Sequence, residues 1–303
     1  MDTLLLIDGN ALLYRAFFAL PSFKTKDGTP TNAIYGFFTM LYRALSNFHP
    51  QYIAVCFDTP KPTFRQKLYE EYQIQRPKIA DELKIQFPLL KDLLKKGGVF
   101  QIEKEGYEAD DVIGTIARRV RKSKIKTLVL TGDRDIMQVV DKTVYVVTPQ
   151  IGVTQTKIYD EGGVVEKFGV HPEQIADFKA LVGDPSDNYP GVKGIGPKTA
   201  VRLLKRFKTI ERLLANLDEV QDEKLRMLLK ENKKNIVLSG KLARIVTDVK
   251  LDFKLDKTAF SGFKQDLKEG LSKLEMRSLI ARFFPEGKKE KEDLSPDIQI
   301  NLF

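Results

Sequence analysis

Acidic residues carry the clearest chemical signal in this chain, because three of them crowd into one short stretch. Glu108, Asp110 and Asp111 stand directly ahead of an apolar run with helical spacing. A helix dipole favours acids in its first turn, but three carboxylates there exceed what capping requires. At neutral pH they repel one another unless a positive charge lies between them. The stretch therefore indicates a positively charged partner.

Six more acids fall where a strand is predicted to end or a helix to begin: Asp8, Asp58, Asp133, Asp135, Asp184 and Asp187. Any one of them alone is better explained as a helix cap or a turn residue. Gathered at one edge of a basic protein, they predict a cation site. Oxygen ligands suit hard cations such as Mg²⁺ or Mn²⁺. Two such ions about 4 Å apart can hold the attacking and leaving oxygens of a phosphodiester.

The elements that must position these acids predict an α/β fold. Apolar strands are expected over residues 4–8, 52–57 and 126–131, and helices over residues 10–20 and 32–48. Strands that alternate with helices form a mostly parallel sheet with helices on its faces. Sites in such sheets lie at the carboxyl ends of the strands, which is where these acids fall. Further strands are expected at 99–102 and 143–147, with 153–158 as a partner for the last.

Residues 59–97 interrupt this alternation with a polar and aromatic insertion. Its last part, residues 81–96, has the spacing of an amphipathic helix. A long excursion on the site side of a sheet often acts as a lid or a binding loop, while a solvated surface hairpin explains the composition equally well. Composition alone leaves both interpretations open.

A glycine-rich turn lies in the helical second half of the chain. Gly191, Gly194 and Gly196 precede Pro197, which suits the first turn of a helix. Residues 191–208 hold six basic residues and no acid. Free N–H groups at such a turn attract phosphate. The pattern favours sequence-independent binding of a DNA backbone over a turn that uses glycine only for close packing.

The bulk composition agrees with an anionic partner. The formal net charge is +9 and the isoelectric point about 9.3, which favours nucleic acid or a membrane surface. The apolar run at residues 4–7 is too short for a signal or membrane-spanning helix, so no membrane association is expected. One cysteine, Cys56, and two histidines argue against disulfides and zinc and indicate the cytoplasm.

Six segments of the sequence resemble one family: LLLIDGNALLYRAFFAL, NAIYGF, VCFD, GYEADD, TGDRD and GDPSDNYPGVKGIGPKTA. They are similar to the 5′-nuclease domain of bacterial DNA polymerase I and the wider flap endonuclease family. The resemblance implies a PIN-like core over residues 1–180 with a helical arch at about 60–97, and a helix–three-turn–helix region over 181–285. The charged composition that begins at residue 286 predicts a flexible tail over 286–303. The resemblance also implies metal-dependent cleavage at 5′ flaps and nicks, with 5′→3′ exonuclease action on DNA or RNA primers.

Matching positions imply roles for individual residues. All nine acids become ligands, direct or through water, of two Mg²⁺ or Mn²⁺ ions, with Asp58 in the outer shell. Arg15 and Arg76 are expected near the scissile phosphate. The turn is expected to hold a K⁺ ion on carbonyls around Val192 and Ile195. It is expected to grip DNA through Gly191, Lys193, Gly194, Gly196, Lys198, Thr199 and Arg202.

One position departs from the family pattern. The arch of the polymerase I type usually reads Tyr-Lys-x-x-Arg, and here the segment is Tyr72-Gln73-Ile74-Gln75-Arg76. Gln73 does not supply the cation that helps to orient the phosphate, so the rate and the flap preference are open, with Lys67 and Lys78 as candidates to compensate. The alternative function is a DNA-junction binding protein with weakened cleavage. A PIN-type ribonuclease would leave the helix–three-turn–helix module unexplained.

The end of the chain resembles a docking motif. No polymerase segment follows, so a stand-alone, monomeric nuclease is expected, and it needs its own means of reaching the replication site. Residues Gln299, Leu302 and Phe303 resemble the Gln-x-x-Leu-Phe pentapeptide by which bacterial replication proteins dock on the sliding clamp. A flexible linker that ends in an apolar anchor suits tethering, and the alternative is a random apolar terminus.

Overall fold

The computed structural model describes residues 1–150 and 156–285, and a six-stranded sheet forms its centre. The strands are β1 (Thr3–Asp8), β2 (Tyr52–Phe57), β3 (Phe100–Glu103), β4 (Lys126–Leu130), β5 (Val144–Pro149) and β6 (Thr156–Tyr159). They lie in the order β3-β2-β1-β4-β5-β6, and only β6 runs antiparallel to its neighbour. The predicted α/β class with a mostly parallel sheet is confirmed.

The centre of the sheet is buried on both faces, as a parallel sheet requires. Successive side chains of a strand point to opposite faces. Leu4 and Leu6 of β1 accordingly pack in one apolar cluster, and Leu5 and Ile7 pack in the other. The strand order reverses between β2 and β4, on either side of β1. The carboxyl end of β1 is therefore a switch point, where parallel sheets open a crevice.

Helices cover both faces of the sheet and form the second half of the described chain. They are α1 (Gly9–Ala19), α2 (Asn32–Phe48), α3 (Phe64–Leu68), α4 (Asp81–Lys96), α5 (Ala109–Val120), α6 (Glu161–Phe168), α7 (Ile175–Val182), α8 (Pro197–Phe207), α9 (Ile210–Ala215), α10 (Glu223–Glu231), α11 (Lys233–Ala243), α12 (Asp266–Lys273) and α13 (Arg277–Phe283). A 3₁₀ turn over Pro172–Gln174 directly precedes α7. Within the described ranges no helix is long and apolar enough to cross a membrane.

The predicted insertion consists of α3, a tight turn and α4. Helix α4 has the bounds that its amphipathic spacing predicts, and it buries Leu83, Leu90 and Leu94 against the sheet side of the molecule. The turn between the two helices reaches over the carboxyl edge of the sheet, where Tyr72 contacts acids of the site. The insertion is thus anchored at both ends and stands over the site.

The last two helices return to the sheet instead of staying with the helical half. Phe263 and Phe283 stack edge to face with ring centroids 4.7 Å apart, and both rings also lie against Phe38 of α2. Leu267 of α12 and Leu279 of α13 are fully buried in the same cluster as Leu5 and Ile7. Packing of this segment therefore belongs to the core that supports β1.

Candidate metal centre and nucleic-acid interface

The first two acids of the site are held by the backbone at the carboxyl edge of the sheet. Asp8 ends β1 and caps α1 by accepting from the Ala11 N–H at 2.9 Å, and its other oxygen accepts from the Thr131 hydroxyl at 2.8 Å. Asp58 follows β2 and accepts from the Ala109 N–H at 2.7 Å. These bonds connect three strand ends to the starts of α1 and α5. The same carboxylates thus act both as helix caps and as members of the cluster.

A second group of acids lies where the sheet meets the helical half. Oxygens of Asp135, Asp184 and Asp187 lie within 4.8 Å of one another, a spacing that suits one cation with oxygen ligands. Lys179 of α7 inserts its ammonium group here and contacts both Asp135 and Asp184, the latter at 2.6 Å. Its positive charge balances the group in this structure. Lys179 was not predicted, because it reads as an ordinary helix residue in the sequence.

Burial disfavours the ionised form of several of these acids and so raises their pKa values. It raises the pKa of Asp8 to about 7, with repulsion from Asp58 adding to the effect. It raises the pKa of Glu108 to about 7 even though Arg65 opposes the shift. It also raises the pKa of Asp135 to about 7, with added repulsion from Asp133.

Asp110 is the most strongly affected, because burial and the charges of Asp133 and Asp8 raise its pKa well above the ordinary range. At Asp184 burial acts in the same direction, but the Lys179 ammonium and the hydrogen bonds from Ser186 together outweigh it and lower the pKa. Buried, mutually repelling carboxyls are typical of a site built for cations. The donor set, carboxylate oxygens alone, fits a hard divalent ion.

Both oxygens of Asp111, one of the predicted ligands, already accept hydrogen bonds from protein donors. Arg65 of α3 donates to both of its oxygens, at 2.7 and 2.8 Å, and the Val246 N–H donates to it at 2.8 Å. The side chains of Arg65 and Asp111 are 3% and 0% exposed. The same guanidinium donates to the Leu242 carbonyl and lies 3.4 Å from Glu108. Arg65 therefore joins the base of the insertion, the start of α5 and the segment after α11.

Sequence reasoning missed Arg65, since nothing in its local pattern separates it from the other basic residues of the insertion. Helix α3 positions it through a capping box, in which the Gln66 side chain accepts from the Thr63 N–H at 2.9 Å. Only the approach of α5 and of the segment after α11 shows that this guanidinium is buried.

The turn of the insertion folds onto Asp187. Arg76 donates to this carboxylate at 2.6 Å, Gln73 at 3.1 Å and the Tyr72 hydroxyl at 3.2 Å. Gln73 adopts a positive φ of 59° and also donates its N–H to the Asp187 carbonyl. Gln73 thus bonds an acid of the site at the position where the family pattern has lysine. Lys67 and Lys78, the candidates to compensate for it, are exposed.

Arg15 lies on α1, seven residues after the capping Asp8. Its guanidinium donates to the Gln150 carbonyl at 2.6 Å, and partial burial lowers its pKa. The neighbouring Tyr14 packs edge to face on Phe87 of α4 with centroids 6.0 Å apart. The helix that follows β1 therefore connects the acids to the insertion.

The glycine turn combines close packing with an exposed basic surface. At Gly191, with φ of 57°, an added Cβ would lie 2.2 Å from the Gly183 nitrogen, so packing alone demands glycine there. Gly194 has φ of 100°, and nothing nearer than 3.5 Å would meet a side chain. Val192 and Ile195 bury their side chains in the core. Three basic residues of the turn and of α8 point to solvent: Lys193, Lys198 and Arg202.

The sequence matches two models of one protein family. Residues 3–169 match the model of the 5′-3′ exonuclease N-terminal resolvase-like domain, and residues 170–266 match the 5′-3′ exonuclease C-terminal SAM fold. The chain belongs to the 5′-3′ exonuclease family. It is 41% identical over 285 residues to a 5′-3′ exonuclease of Aquifex aeolicus, and the match covers 92% of this chain and 94% of that one.

Members of the family also occur within larger polymerases. The chain is 42% identical over 293 residues to DNA polymerase I of Bacillus caldotenax, covering 96% of this chain but 33% of the polymerase. It therefore spans about a third of that relative. The resemblance inferred from the six segments is confirmed, and so is the assignment as a nuclease of this family.

Solved structures show the same fold at low identity. A T5 5′-exonuclease with bound divalent metal ions (zinc) superposes with a TM-score of 0.68 at 20% identity, covering 91% of this chain and 99% of that one. A complex of the catalytic core of Rad2 with a DNA substrate superposes with a TM-score of 0.58 at 16% identity, covering 94% and 93%. These likenesses support the fold of both halves.

Proposed function

We propose that this chain is a structure-specific 5′-nuclease that hydrolyses phosphodiester bonds at 5′ flaps and nicks, with 5′→3′ exonuclease action on DNA and on RNA primers. One observation carries the proposal: buried carboxyls with raised pKa values line one edge of the sheet in a protein of net charge +9. Ionised carboxylates repel an anionic substrate, so such a site can bind one only when cations lie between the carboxylates and the substrate.

Mg²⁺ or Mn²⁺ would supply the chemistry, activating a water and offsetting the charge on the phosphate, with two ions in the site. Asp135, Asp184 and Asp187 have the spacing to hold one of them. The other oxygen donors of the site are Asp8, Asp58, Glu108, Asp110 and Asp133. Asp111 contributes through Arg65, which holds the start of α5 and hence the direction of Glu108 and Asp110.

The basic residues would orient the substrate. Arg76 bonds Asp187 at the site and Arg15 bonds the Gln150 carbonyl from α1, and we expect the charges of both to position the scissile phosphate. The glycine turn grips the backbone of the duplex through Lys193, Lys198, Thr199 and Arg202, and carbonyls around Val192 and Ile195 hold a K⁺ ion against it. The chain works as a cytoplasmic monomer, and the terminal Gln299, Leu302 and Phe303, which lie outside the described residues, dock it on the sliding clamp.

A labelled 5′-flap duplex tests the proposal. With Mg²⁺, the wild type should release the flap, and Asp133→Asn should lose cleavage while keeping most of its DNA affinity, because the cations and not the duplex contacts are disturbed. The matched control is Asp252→Asn, whose side chain is 85% exposed and lies outside the site. Absence of any metal-dependent product from the wild type would favour a junction-binding protein instead.

A further inference from the structure

A basic cavity lies in the helical half, away from the acids. It has a volume of about 550 Å³ and opens between the end of α8 and the segment that leads into α7. Lys205, Lys208 and Arg212 line it, with Glu173 as the one acid among the lining residues. The glycine turn does not include these residues, and no role follows for them from the exonuclease activity.

Among the described residues, the three cations of the cavity differ from their neighbour Arg206 in their ion pairing. None of the ion pairs among the described residues includes Lys205, Lys208 or Arg212, whereas the neighbouring Arg206 pairs with Glu219 at 3.4 Å. All three side chains are exposed, so water and salt screen the repulsion between them. Their summed positive charge still attracts anions, so the cavity has the charge of an anion-binding site.

The wall of the cavity is fixed in place. The Gln174 side chain, 8% exposed, donates to the Leu204 carbonyl at 3.2 Å and to the Lys208 carbonyl at 2.8 Å. These two bonds connect the end of α8 to the 3₁₀ turn before α7. Lys208, the C-cap residue of α8, takes a positive φ of 70°. The basic side chains therefore project from a rigid backbone, which lowers the entropy lost on binding.

The cavity is continuous with the proposed DNA-binding surface. Lys198, Arg202 and Lys205 are exposed and stand at positions i, i+4 and i+7 of α8, so they share one helix face. At a rise of 1.5 Å per residue, Lys205 lies ~10 Å along the axis from Lys198. Phosphates of one strand advance ~3.4 Å per nucleotide, so a duplex that follows α8 from the glycine turn would bring later phosphates to the cavity.

We infer that the basic cavity of Lys205, Lys208 and Arg212 is a second phosphate-binding site, which holds the nucleic-acid backbone about three or more nucleotides beyond the glycine turn. The inference rests on the proposed function for its substrate class. Under this inference the duplex contacts α8 along the whole length of the helix. The affinity of the protein for a substrate should therefore depend on the length of the duplex arm.

The test compares two charge-neutralised proteins in the Asp133→Asn background, where the DNA is not consumed. One carries Lys205→Gln with Arg212→Gln; the control carries Lys254→Gln with Lys273→Gln, two exposed lysines that lie outside the cavity. Binding is measured by fluorescence anisotropy for duplex arms from about 6 to about 18 base pairs at several salt concentrations. Thermal melting checks that both proteins remain folded.

The expected result is a loss confined to the long arms. The cavity variant should bind them about three- to tenfold more weakly, with a salt dependence shallower by about one to two phosphate contacts, and should match the control on the shortest arm. Equal length and salt dependence in both proteins would overturn the inference. Saturable binding of tripolyphosphate at the cavity without any effect on DNA would also overturn it, in favour of a free-nucleotide site.

Cleavage of the flap duplex by proteins with Asp133 intact separates this inference from the proposed function. If the wild type cleaves and the cavity variant shows an unchanged KM on long arms, the second phosphate-binding site is rejected and the proposed nuclease activity is kept. If the wild type binds with the expected length dependence but yields no metal-dependent product, the proposed activity is wrong and the phosphate site stands.

Discussion

Single carboxylates of this site serve the backbone as well as the proposed metal centre. Asp8 caps α1 and bonds Thr131, and Asp58 bonds the first residue of α5. Each oxygen has lone pairs left after one hydrogen bond. The caps orient the acids without consuming them, so the sheet edge is rigid before any cation binds.

Arg65 provides a test of stability at this scale. Arg65→Met should lower the free energy of unfolding by about 3–5 kcal/mol, because it leaves the Asp111 carboxylate buried without its partner. Arg65→Met combined with Asp111→Leu should recover most of that loss. Urea unfolding measures both, with the exposed Arg43→Met as a control. A loss below about 1 kcal/mol for the single variant would show that water reaches the pair.

The raised pKa values predict how metal-free protein responds to pH. Asp8 and Asp135 move from 3.8 to about 7, and Glu108 moves from 4.5 to about 7. Between those limits the folded protein binds more protons than the unfolded chain, so its stability falls as pH rises. Their stabilising contribution is complete below about pH 4 and is lost above about pH 7.

In EDTA the melting temperature should therefore drop between about pH 5 and about pH 7.5, and saturating Mg²⁺ should raise it more at the higher pH, where the ligands are ionised. Differential scanning calorimetry follows both changes. Asp8→Asn should flatten the decline, since asparagine keeps the cap and does not titrate. A decline of equal steepness in that variant would remove Asp8 from the titrating set.

Among the elements, the insertion determines access to the acids. Its turn bonds Asp187 through Tyr72, Gln73 and Arg76, while α3 below it is fixed by Arg65 and α4 by its apolar face. The turn is thus the least anchored part of an otherwise fixed element. Segments with few buried apolar contacts open first.

Hydrogen exchange tests this attachment. Arg76→Met should speed amide exchange over residues 70–78 by several-fold, because the ion pair at 2.6 Å is lost. Exchange in α4 should not change, since its buried leucines hold it independently. Lys78→Met is the matched control, as Lys78 is exposed and lies outside the ion pairs of the described residues. Faster exchange in the control would point to a general loosening of the turn.

For the whole molecule, two acids of the second group and the glycine turn lie on one short segment between the two halves. Asp184 and Asp187 lie just ahead of the glycine turn, and the Asp184 N–H bonds the Tyr189 carbonyl at 2.9 Å. The basic face of α8 continues from that turn. A duplex bound along α8 is therefore positioned relative to the acids through a few residues of rigid backbone.

Residues 299–303 lie outside the described part of the chain and carry the prediction at this scale. Deletion of these five residues should abolish stimulation of cleavage by the bacterial sliding clamp and leave basal cleavage intact. Steady-state cleavage with and without added clamp measures this, with substitution of Ile300 and Asn301 by alanine as the control. Unchanged binding of the truncated protein to the clamp would reject the docking motif.

The sequence by itself determined the fold class and the family, and it predicted that acids follow the strand ends. Periodicity reveals β1, β2 and β4 because buried strands have apolar runs, and the acids at their ends need no tertiary information. Even the bounds of α4 follow from its amphipathic spacing. These features are local, so the order of residues is enough to predict them.

Only the tertiary structure decided what each polar group contacts. Arg65 and Lys179 look like surface cations in the sequence, yet they lie against Asp111 and Asp135, which are distant in the chain. Gly191 looks like a phosphate-binding glycine, yet the backbone of Gly183 requires it. The cavity at the end of α8 joins residues from three segments. Charge pairing and close packing depend on long-range approach, which no local pattern of residues encodes.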